Sequence, residues 1–277
     1  METPFKTILV TGASSFIGRN LIKKLFLEGY EVIALNRSGS YVEGSKKIIS
    51  WDLSDPLANI NLKCDIAIHL AYDYNGEKGA NITISGTKTL FEYLYVNGGT
   101  KRQLFITSYS AGNHATSRYG KTKSVLEEYL LKDKRTIIVR PGLVLGEGGI
   151  FSRISNFVNK SPIVPLPDGG KGCVSVITIE RLCNEIIKLC KANNPTQIAN
   201  LFEPQKVQLR DLLKNSSLVL RRSFMIINIP SLLLLFIIRM IEFLGIKLPV
   251  SSDSLAGFIQ NQSGSHISIL KKEKTSK

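Results

Sequence analysis

Short β-branched runs alternate with helical patterns through the first 140 residues, and this alternation constrains the fold more than any other feature of the chain. Residues 6–11 (KTILVT), 31–36, 47–51, 65–70, 103–108 and 136–140 read as strands. Residues 16–28, 79–96 and 119–131 read as helices, the first closed by Gly29. Apolar strands separated by helices imply a parallel sheet covered on both faces, a doubly wound α/β domain. At 277 residues the chain is long enough for one large domain with a smaller lobe.

After Pro141 the texture changes. Glycines and prolines crowd residues 146–149 and 162–172, as a loop-rich lobe requires. Residues 173–177 read as a short strand, 179–191 and 209–218 as helices, and the chain from about Gln260 as a polar tail. The expected organisation is a first domain over 1–150 with 173–192 returning to pack on it. A second lobe takes 151–172 and 193–260, and a basic tail takes 261–277.

Charge narrows the partners. The chain carries 36 basic and 22 acidic side chains, a net +14, with the excess concentrated in its second half. Such a balance suits nucleic acid, an anionic membrane face or a phosphorylated small molecule. Nucleic acid is the weakest of these, because no basic run with interleaved aromatics stands out. The cluster Lys271, Lys272, Lys274 and Lys277 reads as a solvated terminus. Cys64, Cys173, Cys183 and Cys190 lack CxxC spacing, so neither a metal site nor a disulfide framework is expected. Cys183 and Cys190 are seven apart on a helix and should share a buried face.

The first strand runs directly into Thr11-Gly12-Ala13-Ser14-Ser15-Phe16-Ile17-Gly18. A glycine turn between strand and helix lets backbone N–H groups and the helix dipole hold a pyrophosphate. Gly12 gives the tight turn and Gly18 permits close packing of helix on strand. Ser15 stands where a third glycine is usual, which points to a wider loop or to binding through its hydroxyl. About 18 residues later a carboxylate would hold the ribose 2′-hydroxyl of NAD. This chain has Asn36-Arg37-Ser38 there instead. Arg37 can pair with a 2′-phosphate through its planar fork, which favours NADP(H) over NAD(H). The alternative is an exposed arginine in a polar loop.

Tyr119 and Lys123, in YGKTK, are four residues apart at the start of a helix and share one face. A nearby ammonium favours the tyrosinate, and such a phenol can pass a proton to or from a carbonyl or hydroxyl oxygen. Upstream, Thr107-Ser108-Tyr109-Ser110-Ala111 sets hydroxyls at the carboxyl edge of the sheet, where open α/β folds bind ligands.

With these motifs in hand, the sequence resembles an extended short-chain dehydrogenase/reductase of the NAD-dependent epimerase/dehydratase group, over about residues 5–200. The resemblance implies a Rossmann sheet with a smaller C-terminal substrate-binding lobe. It implies that Asp52-Leu53 meets the adenine and that Leu70-Ala71, after His69, lies beside the ribose and phosphates. Asn81 matches the asparagine opening the next helix. Pro141 and Val144, in RPGLV, match the turn passing the nicotinamide, and residues 165–170 (PLPDGG) match the substrate lobe. Carried over by position, Tyr119 is the general acid/base, Lys123 binds the nicotinamide ribose and tunes Tyr119, and Ser110 hydrogen-bonds the reacting oxygen. Ser108 competes with Ser110, which lies only nine residues before Tyr119. The short loop 112–118 resembles a compact subgroup acting on nucleotide-linked sugars in surface-polysaccharide synthesis.

Other residues keep bland readings. His69 reads as packed, His114 and Arg153 as solvated, and Tyr72 and Tyr74 fit either a pocket mouth or a loop. The segment 224–238 (FMIINIPSLLLLFII) resists a fully soluble reading. At 15 residues it is short of the about 20 a spanning helix needs. Extension to Ile246 would bury Arg239 and Glu242. A helix packed within the lobe is expected, with peripheral contact of 224–246 at the inner membrane face as the alternative. The expectation is therefore a cytoplasmic NADP(H)-dependent reductase or epimerase of a nucleotide-sugar, with a homodimer compatible. Its rival is a catalytically quiet relative with a structural role in a membrane-associated assembly.

Overall fold

The computed structural model describes residues 5–57, 61–216, 224–246, 248–262 and 266–270. The chain divides into two compact units.

The first unit comprises Met1–Ser108, Lys121–Arg140 and Ile179–Ala199. Strands β1 (Thr7–Thr11), β2 (Glu31–Asn36), β3 (Lys47–Ser50), β4 (Ile66–His69), β5 (Arg102–Ile106) and β6 (Thr136–Pro141) alternate with helices α1 (Phe16–Leu27), α2 (Gly76–Val96) and α3 (Arg118–Leu130). Helix α5 (Ile179–Lys191) and strand β11 (Ile198–Leu201) complete the set. The seven-stranded sheet runs β11-β6-β5-β4-β1-β2-β3, and β1 through β6 pair in parallel. Strand order reverses between β1 and β4. In such sheets the crevice at the carboxyl ends of those two strands is the binding position.

Side chains on both faces of the strands are buried, as a doubly covered sheet requires. Leu9, Leu35, Ala67, Leu90 and Leu94 form one cluster, and Phe91, Phe105, Leu126, Leu130 and Ile138 another. Helices α1 and α5 contact each other, with Leu21, Leu25, Leu182 and Ile186 buried. Cys183 and Cys190 share the buried face of α5, and burial pushes both thiols up to about 12. Close approach is needed at Gly86, where a Cβ would lie 1.9 Å from the Leu53 carbonyl oxygen. Helix α2 is thereby held against the turn after β3.

The second unit comprises Tyr109–Gly120, Pro141–Thr178 and Asn200–Lys277. Its elements are β7 (Leu143–Leu145), α4 (Ile150–Lys160), β8 (Ile163–Pro167), a 3-10 turn (Asp168–Gly170), β9 (Cys173–Val174), β10 (Val176–Thr178), β12 (Val207–Gln208), α6 (Leu209–Asn215), β13 (Met225–Ile229), α7 (Ser231–Phe243) and α8 (Ser252–Asn261). The strands pair two by two, β10 with β7, β12 with β9 and β13 with β8. Phe151, Val158, Val164, Leu166, Leu209 and Leu213 form the core.

The second half departs from its sequence reading in five places. Residues 173–177 are two short strands in different sheets, because the chain switches partner at Ser175. The stretch 162–172, read as loop-rich, holds strand β8, which pairs with β13; α4 lies between the two glycine- and proline-rich stretches, its apolar face burying Phe151 and Val158. The segment 224–238 starts as a strand, β13, and becomes helical only past Pro230, which lacks the N–H to continue a strand ladder. The stretch read as a tail from Gln260 includes the end of α8 at Asn261 and a buried Leu270. The expected helix at 209–218 ends at Asn215, and residues 217–218 and the cluster Lys271–Lys277 lie outside the described residues.

Candidate active site

The carboxyl ends of β1 and β4 are tied together by one side chain. Thr11 Oγ1 accepts hydrogen bonds from the Leu70 and Ala71 N–H groups at 3.1 and 3.2 Å. Gly12 takes φ +62, in the left-handed region, and a Cβ there would lie 2.9 Å from Ala71 N. A Cβ on Gly18 would lie 2.5 Å from the Gly12 carbonyl oxygen. Only glycine fits either place. Ser15 has a definite task here: it is the N-cap of α1, its Oγ accepting from Gly18 N–H at 3.1 Å. Ser14 is exposed, while Phe16 and Ile17 are half-buried in the first turn of α1. Arg19, which the sequence reading did not single out, donates from Nη1 to the Ser14 carbonyl at 2.6 Å. It adds a cation to a helix N-terminus already suited to an anion. A glycine cradle with a capped helix and a nearby guanidinium fits the diphosphate of a dinucleotide.

At the end of β2, Asn36 is buried and shapes the loop that follows. Its Nδ2 donates to the Ser40 carbonyl at 3.0 Å and its Oδ1 accepts from Ser38 Oγ at 3.1 Å. Arg37 is exposed, with Nε 3.7 Å from Asp52 Oδ2. Asp52 also accepts from the N–H and the hydroxyl of Ser54. The position therefore presents a cation and a carboxylate side by side. Leu53, the next residue, is buried. Asn81 does not open its helix: α2 starts five residues earlier at Gly76, and Asn81 is exposed in the second turn.

His69 is fully buried, and burial lowers its imidazole to about 4. Gln103 Nε2 donates to the Phe91 carbonyl, so Gln103 Oε1 is left to accept from His69 Nε2–H at 2.7 Å. A neutral, satisfied histidine of this kind is a packing residue.

Helix α3 carries a polar stripe. Tyr119, Lys123 and Glu127 recur every fourth residue and so lie along one face. Lys123 is buried, and its Nζ donates to the Ile106 carbonyl at the carboxyl end of β5 at 2.9 Å. Its ammonium also faces the Phe105 ring at 4.5 Å and the Tyr72 ring at 5.7 Å. Burial pulls Lys123 down to about 7, and the Glu127 carboxylate opposes that fall. Glu127 is itself buried, accepting from both Arg140 Nε and Nη2 and from Thr107 Oγ1 at 2.5 Å. The sequence reading missed Glu127. Its signal was present in the four-residue step that also relates Tyr119 to Lys123.

Residues 109–120, which lead into α3 and include its first turn, belong to the second unit and are held there by that unit's C-terminal part. A Cβ on Gly120 would lie 2.5 Å from the Ser110 carbonyl oxygen, so the Ser110 backbone lies against the first turn of α3. Asn261 Nδ2 donates to Ser110 Oγ at 3.0 Å. Asp253 reaches the helix start: its two oxygens accept from Arg118 N–H at 2.6 Å and Tyr119 N–H at 3.1 Å. Ser117 Oγ adds a local cap on Gly120 N–H at 3.0 Å. His266 Nε2 hydrogen-bonds the Ala111 carbonyl at 3.0 Å. Ser108 lies in the first unit and Ser110 in the second. His114 and Arg153 are exposed. Pro141 is buried at the end of β6. Val144, half-buried, lies in β7 beside β10. Among the described residues, no group of three or more His, Cys, Asp or Glu is placed to hold a metal ion.

A parallel sheet with a glycine cradle at its reversal point, and a Tyr-x-x-x-Lys helix beside it in sequence, defines the extended short-chain dehydrogenase/reductase class. The chain belongs to the NAD dependent epimerase/dehydratase family, whose model matches residues 8–169. It is 26% identical over 246 residues to a sterol-4-alpha-carboxylate 3-dehydrogenase (decarboxylating) of Dictyostelium discoideum, covering 74% of each chain. It is 28% identical over 218 residues to a UDP-glucose 4-epimerase of Vibrio cholerae, covering 66% of each. Among solved structures, the Bordetella bronchiseptica enzyme WbmF in complex with NAD+ superposes with a TM-score of 0.65 at 18% identity, over 95% of this chain and 94% of that one. That likeness is one of fold.

Proposed function

We propose that this protein is a cytoplasmic reductase or epimerase of a nucleotide-linked sugar, that it prefers NADP(H), and that it serves surface-polysaccharide synthesis. The observation that carries the chemistry is the polar stripe of α3, where a buried lysine follows Tyr119 by one turn and is held by a strand-end carbonyl. Tyr119 moves the proton at the sugar's reacting hydroxyl or carbonyl oxygen. Ser110 donates a hydrogen bond to that oxygen, and Lys123 holds the ribose and lends positive charge to the tyrosinate. When bound, the nicotinamide accepts or returns a hydride. The Gly12 turn, α1 and Arg19 hold the diphosphate, and Arg37 meets the 2′-phosphate. The relative that is a UDP-glucose 4-epimerase supports a nucleotide-sugar substrate.

A second reading applies the same proton chemistry to a hydroxyl carried on a lipid. It is favoured by the exposed apolar helix α7 and by the sterol-directed relative.

The deciding assay incubates the protein with NADPH and a panel of nucleotide-linked 4-keto sugars, following absorbance and product stereochemistry. Turnover is expected with one of them, and Tyr119→Phe should lower it by about 10²–10⁴ while NADP(H) still binds. Near-full activity in Tyr119→Phe overturns the mechanism. Tight cofactor binding with no turnover of sugar or lipid substrates favours a structural role instead.

A further inference from the structure

Helix α7 buries little of its apolar surface. Leu234 and Ile238, one turn apart, pack on Leu255 of α8, with Ile229, Leu235, Leu248, Phe258 and Ile259 around them. The opposite arc carries Leu232, Leu233, Phe236, Ile237, Met240, Phe243 and Leu244, all exposed, and Leu232 and Phe243 by 75% and 85%. At 100° per residue these seven span about 140° of the circumference, and Arg239 at the edge is the only polar neighbour. A helix facing water puts polar groups on that arc. The exposed area is on the order of 700 Å², above the roughly 300–600 Å² of the largest patch on an ordinary soluble monomer. Strand β13 runs directly into α7 and adds exposed Met225 and Ile227, with Ile163 of β8 opposite Met225.

Length and charge select the occupant. Thirteen residues of helix reach about 20 Å, short of a hydrocarbon core of about 30 Å. No helix among the described residues is long and apolar enough to cross a membrane. Between positions 221 and 247 the sequence places Arg221, Arg222, Arg239 and Lys247 against a single carboxylate, Glu242. The second unit as a whole holds 15 basic and 7 acidic side chains. A second copy of the second unit would meet that unit's net positive charge with its own. An anionic bilayer turns the same charges into attraction while burying the apolar arc. We infer that α7 is an interfacial anchor, lying in the headgroup–acyl boundary of an anionic membrane with its Leu232–Phe236–Phe243 face in the lipid.

The inference does not depend on which substrate reading holds, and it is tested without turnover. The full chain is sedimented with vesicles of phosphatidylcholine alone and of phosphatidylcholine mixed with phosphatidylglycerol. Binding should require phosphatidylglycerol and weaken with salt. Phe236→Ser with Phe243→Ser should weaken it by tenfold or more per phenylalanine, the equivalent of the about 1.5–3 kcal/mol for burying such a side chain. Melting temperature and NADP(H) affinity should not change, because both side chains are exposed. Arg239→Glu should reduce binding to the phosphatidylglycerol vesicles. Failure of the wild type to bind anionic vesicles overturns the inference. So does wild-type binding by the double variant, and so does a dimer that Phe243→Ser dissolves in the absence of vesicle binding.

Discussion

Arg37 and Asp52 form an exposed ion pair, and such a pair contributes little to stability on its own. Its value lies in what it can exchange for. A 2′-phosphate would outbid the carboxylate for the guanidinium through a charge-assisted fork. Arg37→Ala should therefore weaken NADP(H) by about 1.5–3 kcal/mol and leave NAD(H) nearly unchanged. Titration of both cofactors against wild type and variant checks this; equal losses, or a wild-type preference for NAD(H), would remove the basis for NADP(H). At this scale the sequence was most informative where one residue type is obligatory. Gly12 and Gly18 are legible because no side chain fits, and Tyr119 with Lys123 because helical spacing sets their common face. Asn36 was legible only as a neutral residue. Its role in folding the loop depends on Ser40 returning to it, which no local pattern encodes.

The start of α3 shows how an element can depend on distant sequence. Asp253 accepts from Tyr119 N–H across 134 positions, and Asn261 reaches Ser110 across 151. A carboxylate at a helix N-terminus satisfies orphan N–H groups and complements the dipole. Asp253→Ala should lower stability by about 0.5–2 kcal/mol, the range for a lost cap. It should also lower kcat more than it raises KM, because the ring of Tyr119 loses its fixed mounting. Asp253→Asn should recover only part of the stability, since its one amide oxygen can accept from one of the two N–H groups and its NH2 can accept from neither. Thermal melts and steady-state kinetics of the three proteins are the check; equal kcat across them would make Asp253 a purely structural cap. None of this was legible beforehand. The stretch around residue 260 is short, polar and far from Tyr119, so only tertiary contact gives it meaning. The same holds for β13, where an apolar run without period left helix and strand undecided until Pro230 broke it.

For the whole molecule, two buried bases contribute to the pH dependence of stability above the carboxylate range. His69 takes a proton near 4 when folded and near 6.5 when unfolded, so the unfolded chain binds more protons between those values. Stability should fall as pH drops from 6.5 to 4, by on the order of 3 kcal/mol. Lys123 takes its proton near 7 folded and near 10.5 unfolded, so its contribution grows as pH rises through that window. Both place the optimum on the alkaline side of neutral. Urea midpoints measured across pH should show this slope, with His69→Leu flattening the acid limb; a maximum near pH 5 in the wild type would contradict both assignments.

Helix α8 has one further implication. The stretch by which the family is recognised ends at residue 169, while the groups that grip Ser110 and the start of α3 come from 253 and 261. The stretch that marks the family and the groups that hold Ser110 and the start of α3 thus lie in different parts of the chain. A frameshift or engineered stop near codon 250 would leave every diagnostic motif intact, and the product would still be classed with its relatives. Its tyrosine would be present and its mounting gone.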